Sequence, residues 1–280
     1  MGLRIGTNVT ALNAQKALWG TKNSMDRAMA RLSSGNRINK ASDDAAGLAI
    51  SENMRAQIRG FKQANRNAQD GMSLTQVAEG SLSQITNMLI RLRELGVQAA
   101  SDTINDENRK LIGLEYNQVL AEIDRIANST EFNGSKLLNG SGATLDFQVN
   151  TGNVDSVDRI TFDPAKADVG TVSLGIDDSG IDNKMLAQES LDKIDQAMSR
   201  VSALRADFGS IQSRLNTASE NIKNSIESLS VAKSRIKDTD IAEESSEMAK
   251  SNIMLQAGTS VLAQANQQPG QALALLSGRG

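Results

Sequence analysis

Between residues 181 and 236 one hydrophobic spacing persists without a proline. Ile194, Met198, Val201, Leu204, Phe208, Ile211, Leu215, Ala218, Ile222, Ser225, Leu229, Ala232 and Ile236 follow one another in steps of three or four. Such alternation puts every one of these side chains on a single stripe of an α-helix, the seam of a coiled coil. Ser225 alone breaks the apolar row, and Ile226 stands beside it. At 1.5 Å per residue the helix would be about 80 Å long, far beyond a common globular helix. A helix of that length buries one stripe only, so it requires long partners from the rest of the chain.

The composition bounds what else the chain can be. Aromatic residues make up 2% of the 280 residues, so a core has to be built from Ala, Leu, Ile, Val and Met, which suits extended helix packing. The chain has neither Cys nor His. Cysteine nucleophiles, Ser-His-Asp triads and the usual zinc sites are therefore excluded, and no catalytic residue, metal ligand or cofactor is expected. A net charge of -3 with no long basic run argues against nucleic acid. No apolar run reaches the 18 or so residues of a membrane helix, and no apolar stretch follows Arg4 as in a Sec signal.

The remaining segments read in order as partners for the long helix. Near the start two heptad phases succeed one another, Ile5, Leu12, Trp19 and then Leu18, Met25, Leu32, shifting close to Gly20. Up to Lys40 this arm carries seven basic residues against the single Asp26. Gly35 and Asn36 suit a helix end, and Ser42 before Asp43 and Asp44 reads as an N-cap with acids in the first turn. The helix expected from about 42 to 100 has its clearest seam at Leu82, Ile85, Leu89 and Leu92, with Gly47, Gly60, Gly71, Gly80 and Gly96 inside it. Another, expected from 106 to 127, carries Ile112, Tyr116, Val119, Ile123 and Ile126 on one side.

After turns at Asn133-Gly134 and Asn139-Gly140 the period changes. Leu145, Phe147, Val149, then Ile160, Phe162, then Val172, Leu174, Ile176 alternate as strands do, predicting a small hairpin-containing tip between about 140 and 180. Beyond a break at Asp238 and Thr239 a last helix shows Ile241, Met248, Leu255 and Leu262 at strict seven-residue spacing. Glu244, Ser251, Gly258 and Ala265 occupy the other seam position, and Pro269-Gly270 is expected to end the helix before Leu273, Leu275 and Leu276. From Asp238 onward five acids face two bases, complementing the basic arm.

Several runs resemble bacterial flagellin. Residues 32–50, with Ser42-Asp43-Asp44-Ala45-Ala46-Gly47 at their centre, are similar to the flagellin N-terminal signature. Arg91-Leu92-Arg93-Glu94-Leu95-Gly96-Val97-Gln98 and the run from Glu131 through Leu138 resemble its next motifs. Residues 234–244, Gln256-Ala257-Gly258 and residues 262–267 resemble its C-terminus. The resemblance implies a mainly α fold, a long antiparallel helical coiled-coil bundle of the D0/D1 type with a small β-hairpin-containing tip. Its parts would be an N-terminal D0 helix and linker (1–41), N-terminal D1 helices (42–140), a short β-rich D1 tip (141–180), the C-terminal D1 helix (181–236) and a C-terminal D0 helix (237–280).

What the resemblance implies about function is a structural subunit, not an enzyme, that assembles with itself into the flagellar filament for motility. Export through the flagellar type III apparatus, an extracellular location, a cytosolic export chaperone on the C-terminal segment, and contacts with cap and hook-junction proteins come with it. A D0 seam of Ile5, Leu12, Trp19, Ile241, Met248, Leu255 and Leu262 is expected, and a D1 seam of Leu82, Ile85, Leu89, Leu92, Val119, Ile123, Phe208, Leu215 and Ile222. Leu215 and Ile222 are expected to face Leu82 and Ile85 or Val119 and Ile123. Leu89, Arg91, Leu95, Gln98 and Glu115 match a surface that flagellins present to the flagellin-sensing Toll-like receptor. Zinc-protease insertions of some flagellins need histidines that this chain lacks. The alternatives are a hook-filament junction protein, a carboxylate enzyme and a cytosolic coiled-coil scaffold. Both terminal segments are expected to order only on assembly.

Overall fold

A computed structural model of the chain describes residues 7–276 and residue 278; Ile5 lies outside them, as do the side chains of Leu273, Leu275 and Leu276. Seven helices and four short strands follow in the order α1 (Val9–Ser34), α2 (Ala45–Ala100), α3 (Asp106–Ser129), β1 (Glu131–Phe132), β2 (Ser135–Lys136), β3 (Leu145–Gln148), α4 (Asp155–Asp158), β4 (Arg159–Phe162), α5 (Thr171–Leu174), α6 (Lys184–Lys237) and α7 (Ile241–Leu276). The chain divides into two compact units, residues 57–227 and the two flanking segments together.

In the unit formed by residues 57–227, α2 and α6 run antiparallel. Arg93 Nε donates to Asp195 at 2.8 Å, Arg205 reaches Glu79 at 3.8 Å, and Ser219 Oγ donates to Asn65 at 2.7 Å. Leu82, Ile85, Leu89, Leu92 and Leu95 of α2 form one buried cluster with Tyr116, Leu120 and Ile123 of α3 and with Ile194, Val201 and Phe208 of α6. Val119 is half-buried against it. The 24 residues of α3 cannot follow the 56 of α2, a difference of about 48 Å at 1.5 Å per residue.

Where α3 has ended, the β3–β4 hairpin takes its place. Leu145 to Gln148 pair antiparallel with Phe162 to Arg159. Val149 and Ile160 form a second buried cluster with Ala68 of α2 and Leu215 of α6. Phe147 seats on Gly71, where an added Cβ would lie 3.0 Å from the ring. The strand segment thus lies alongside the helices and not beyond their ends. Leu215 accordingly packs on Ala68 and the hairpin, not on Leu82 and Ile85 or on Val119 and Ile123. Ile222, also buried, stands one turn past Ser219 on the same helix.

Three local expectations are corrected. Val172, Leu174 and Ile176 do not form a strand: Asp124 accepts from both the N–H and the hydroxyl of Thr171 at 2.8 Å, starting the short helix α5, which Gly175 ends at φ 75°. Ser42 does not cap α2. That cap is Asp44, which accepts from the Gly47 N–H at 2.8 Å, while Asp43 closes the preceding turn by accepting from the Asn39 and Lys40 N–H groups. Nor does Pro269 end α7, which continues to Leu276. Proline leaves the carbonyl four residues before it without a helical donor. That carbonyl belongs to Ala265, and Asn8 Nδ2 donates to it at 2.8 Å.

The flanking unit joins α1 and α7 to the start of α2 and the end of α6. The two connectors are stitched together by the Arg37 N–H, which donates to Lys237 O at 2.7 Å, and the Thr239 N–H, which donates to Gly35 O at 3.1 Å. The Arg37 guanidinium adds a bond to Ile236 O, supplying a donor to the last turn of α6.

Candidate assembly surfaces

The helices α1 and α7 pack antiparallel through small residues. Asn8 meets Ala265, Leu18 sits on Gly258 so closely that an added Cβ would lie 2.6 Å from its Cδ2, and Arg31 reaches Glu244 at 3.5 Å. Seven-residue steps from the Leu18–Gly258 contact set Ala11 against Ala265, Met25 against Ser251 and Leu32 against Glu244. The intervening positions set Ala14 against Leu262, Thr21 against Leu255 and Ala28 against Met248. A large side chain on one helix thus faces a small one on the other in most layers. Ala11, Ala28, Ser251 and Ala265 are buried, and Met25, Met248, Leu255 and Leu262 half-buried.

This overturns part of the expected D0 seam. Leu12 and Trp19 do not meet α7: they are 55% and 72% exposed, and Ile241 is 67% exposed. The second heptad phase, Leu18, Met25, Leu32, is the one that packs, because only it meets the Glu244, Ser251, Gly258, Ala265 row at a separation that row permits. Sequence reasoning noted that row and the Met248, Leu255, Leu262 row but missed the small residues Ala11, Ala14, Thr21 and Ala28 of α1 that pack on them; their own three-four spacing carried the signal. Of the opposed charges on the two arms, the ion pair formed within the described residues is Arg31 with Glu244.

Several large apolar residues remain uncovered. Val9, Leu12 and Trp19 on α1 and Ile241, Ile253, Met254 and Val261 on α7 are all more than half exposed. A second apolar surface lies on the other unit, where Val97 of α2 and Leu111 and Leu114 of α3 are exposed. The residues matched to the receptor surface separate into two groups. Leu89 and Leu95 are core residues and are not available at the surface. Gln98 is exposed, and Arg91 and Glu115 are half-exposed partners bonded at 2.7 Å, with Glu94 holding the other side of the guanidinium at 2.9 Å. Those two carboxylates raise the Arg91 pKa, first through the Glu115 hydrogen bond.

Among the described residues no cluster of three carboxylates could hold a metal ion, and no helix is long and apolar enough to cross a membrane. The chemistry on display is that of contact surfaces.

The comparisons with known proteins point the same way. Residues 5–143 match the family model for the bacterial flagellin N-terminal helical region, and residues 191–276 that for the bacterial flagellin C-terminal helical region. Flagellin of Halalkalibacterium halodurans is 43% identical over 97% of this chain and 99% of its own, and flagellin of Bacillus subtilis 39% identical over 98% and 100%. The crystal structure of Bacillus cereus flagellin, 32% identical, covers 56% of this chain and 88% of its own with a TM-score of 0.51. A hook-associated protein structure from Vibrio parahaemolyticus reaches a TM-score of 0.56 over 70% of this chain, but at 15% identity it speaks to the fold alone. With both terminal regions matched and full-length relatives on either side, the chain belongs to the bacterial flagellin family, whose members are structural subunits of the flagellar filament and not enzymes.

Proposed function

We propose that this subunit contributes α1 and α7 to an inner layer, D0, around the filament's channel, and the helices of residues 57–227 to the surrounding layer, D1. The observation that carries this reading is the set of large apolar side chains left exposed on α1 and α7, Trp19 at 72% among them. Exposed apolar residues in that number on a helix pair call for cover, and further copies of the same chain supply it. Delivery through the flagellar type III apparatus, a cytosolic chaperone on the C-terminal segment, and cap and hook-junction partners at the filament ends complete the proposal, resting on the family alone. Electron microscopy after seeding purified subunits is the direct test. Long filaments are expected from the parent and none from Trp19→Asp or Val261→Asp; filaments of normal length from both variants would remove α1 and α7 from the contacts.

Recognition of free subunits by the flagellin-sensing Toll-like receptor is proposed for Arg91, Gln98 and Glu115 only, beside the groove lined by Ile90, Arg93, Glu94, Val97 and Gln98. Arg91→Ala and Glu115→Ala should each weaken receptor binding. Unchanged binding by both would exclude this surface.

A further inference from the structure

The chain has no cysteine, so a two-electron oxidant finds its thioethers first, and there are ten methionines. Two stand in adjacent layers of the α1–α7 seam, Met25 against Ser251 and Met248 against Ala28. Both are half-buried, while the residues they face are 3% and 1% exposed. We propose that Met25 and Met248 form an oxidation-sensitive element of this seam, and that conversion of either to the sulfoxide by a peroxide keeps a free subunit from joining a filament. The proposal rests on the reading of the α1–α7 pair as an assembly layer.

The step is a direct oxygen transfer. A sulfur lone pair attacks one peroxide oxygen, an S–O bond forms as the O–O bond breaks, and the second oxygen leaves as water after proton transfer. Sulfur loses two electrons and the peroxide gains them. The product is larger and carries a strong acceptor, which needs a hydrogen bond when buried. Ala28 offers no donor to Met248. The added oxygen also enlarges the side chain in a seam whose helix separation is set by the close Leu18–Gly258 contact. The other described methionines lie elsewhere. Met54 is half-buried on α2, Met88 and Met198 pack against the core of residues 57–227, Met72 packs beside the hairpin, Met185 is 81% exposed, and Met29 and Met254 are 51% and 54% exposed.

The test treats full-length subunits with hydrogen peroxide, locates sulfoxides by peptide mass spectrometry, and then seeds polymerisation. Parent subunits should lose growth in step with sulfoxide at residues 25 and 248. Methionine sulfoxide reductases should restore it, which separates thioether oxidation from damage to the exposed Trp19. M25L/M248L should keep growing after the same treatment, whereas M185L, at an exposed position of α6 outside the pair, should not be protected. Equal protection by M185L, or undiminished growth of parent subunits oxidised at 25 and 248, would overturn the proposal. Should M25L/M248L fail to grow even untreated, hydrogen exchange decides: oxidation of seed-bound parent subunits at these two positions must expose residues 11–32, and unchanged protection there counts against it. Failure of the untreated parent to grow would instead reject the assembly reading.

Discussion

At the scale of single residues, Asn8 serves two helices at once. Its Oδ1 accepts the Ala11 N–H at 3.1 Å, capping α1, and its Nδ2 donates to the Ala265 carbonyl that Pro269 leaves without a partner. Replacing an N-cap asparagine by alanine costs about 1 kcal/mol, and an orphaned carbonyl adds to that. Asn8→Ala should therefore lower the melting temperature of filaments more than Asn8→Asp, which keeps the cap but loses the donor. Equal melting of the two variants, both of which lose the Ala265 contact, would mean that the cap on α1 contributes nothing. Leu215 is fully buried between Ala68 and the hairpin, so Leu215→Ala should lower subunit stability by about 2 to 5 kcal/mol in urea unfolding. Asp43 gives a pH dependence with a definite sign. Bonds from the Lys40 and Asn39 N–H groups hold its carboxyl below the usual value of 3.8. A depressed folded pKa means that the carboxylate's contribution is complete above the unfolded value and is lost as pH falls through the folded one. The Asn39 and Lys40 amide resonances should accordingly shift together only below about pH 4; a shift centred higher would contradict the hydrogen-bonded turn.

Among elements, the long helices were legible because their stripes persist: every position from Ile194 to Ile236 in the α6 row is buried or half-buried. The ends of elements were less so, since caps depend on side-chain geometry that spacing does not reveal; Ser42 and Asp44 stand two residues apart and both suit the role. The pairing of α1 with α7 was misread for a physical reason. The two heptad phases, Leu12 with Trp19 and Leu18 with Met25 and Leu32, are comparably apolar; what separates them is the small residues that close approach needs, and the row that packs includes Ala11, Ala14, Thr21 and Ala28. Likewise the alternation of Val172, Leu174 and Ile176 spans too few residues to separate a strand from one helical turn, and the capping carboxylate of Asp124 lies 47 residues away. The seam makes its own prediction. Gly258→Leu places a side chain where Leu18 already sits and should abolish filament growth, and Leu18→Ala alone should weaken it. Combined, Leu18→Ala with Gly258→Leu restores one large and one small residue in that layer and should recover growth. Additive losses in the double variant would show that the register is wrong.

For the molecule as a whole, the distribution of buried area decides when each part is ordered. Residues 57–227 bury large side chains, Tyr116, Phe208, Leu82, Ile85, Leu89 and Leu92 among them. By contrast, the buried residues of α1 are Ala11 and Ala28, and those described in α7 are Glu244, Ser251 and Ala265. Fixing a residue's backbone costs about 1 to 2 kcal/mol, and small side chains return little of that through removal of apolar surface from water. The same small residues that let α1 and α7 approach therefore leave the pair dependent on whatever covers Leu12, Trp19, Ile253 and Val261. Attraction between the basic and acidic arms adds little, with Arg31 and Glu244 at 3.5 Å and other charges screened beyond about 8 Å at physiological salt. The paired helices seen for α1 and α7 are thus expected to be selected by assembly, while the bundle of residues 57–227 stands without it. Hydrogen exchange on dilute subunits should find residues 9–34 and 241–265 weakly protected and α2 from residue 57 to 100 strongly protected. In filaments both should be protected. Strong protection of residues 241–265 in dilute subunits would show that the terminal pair is stable alone, and growth of normal filaments after deletion of those residues would show that the pair is not needed for assembly at all.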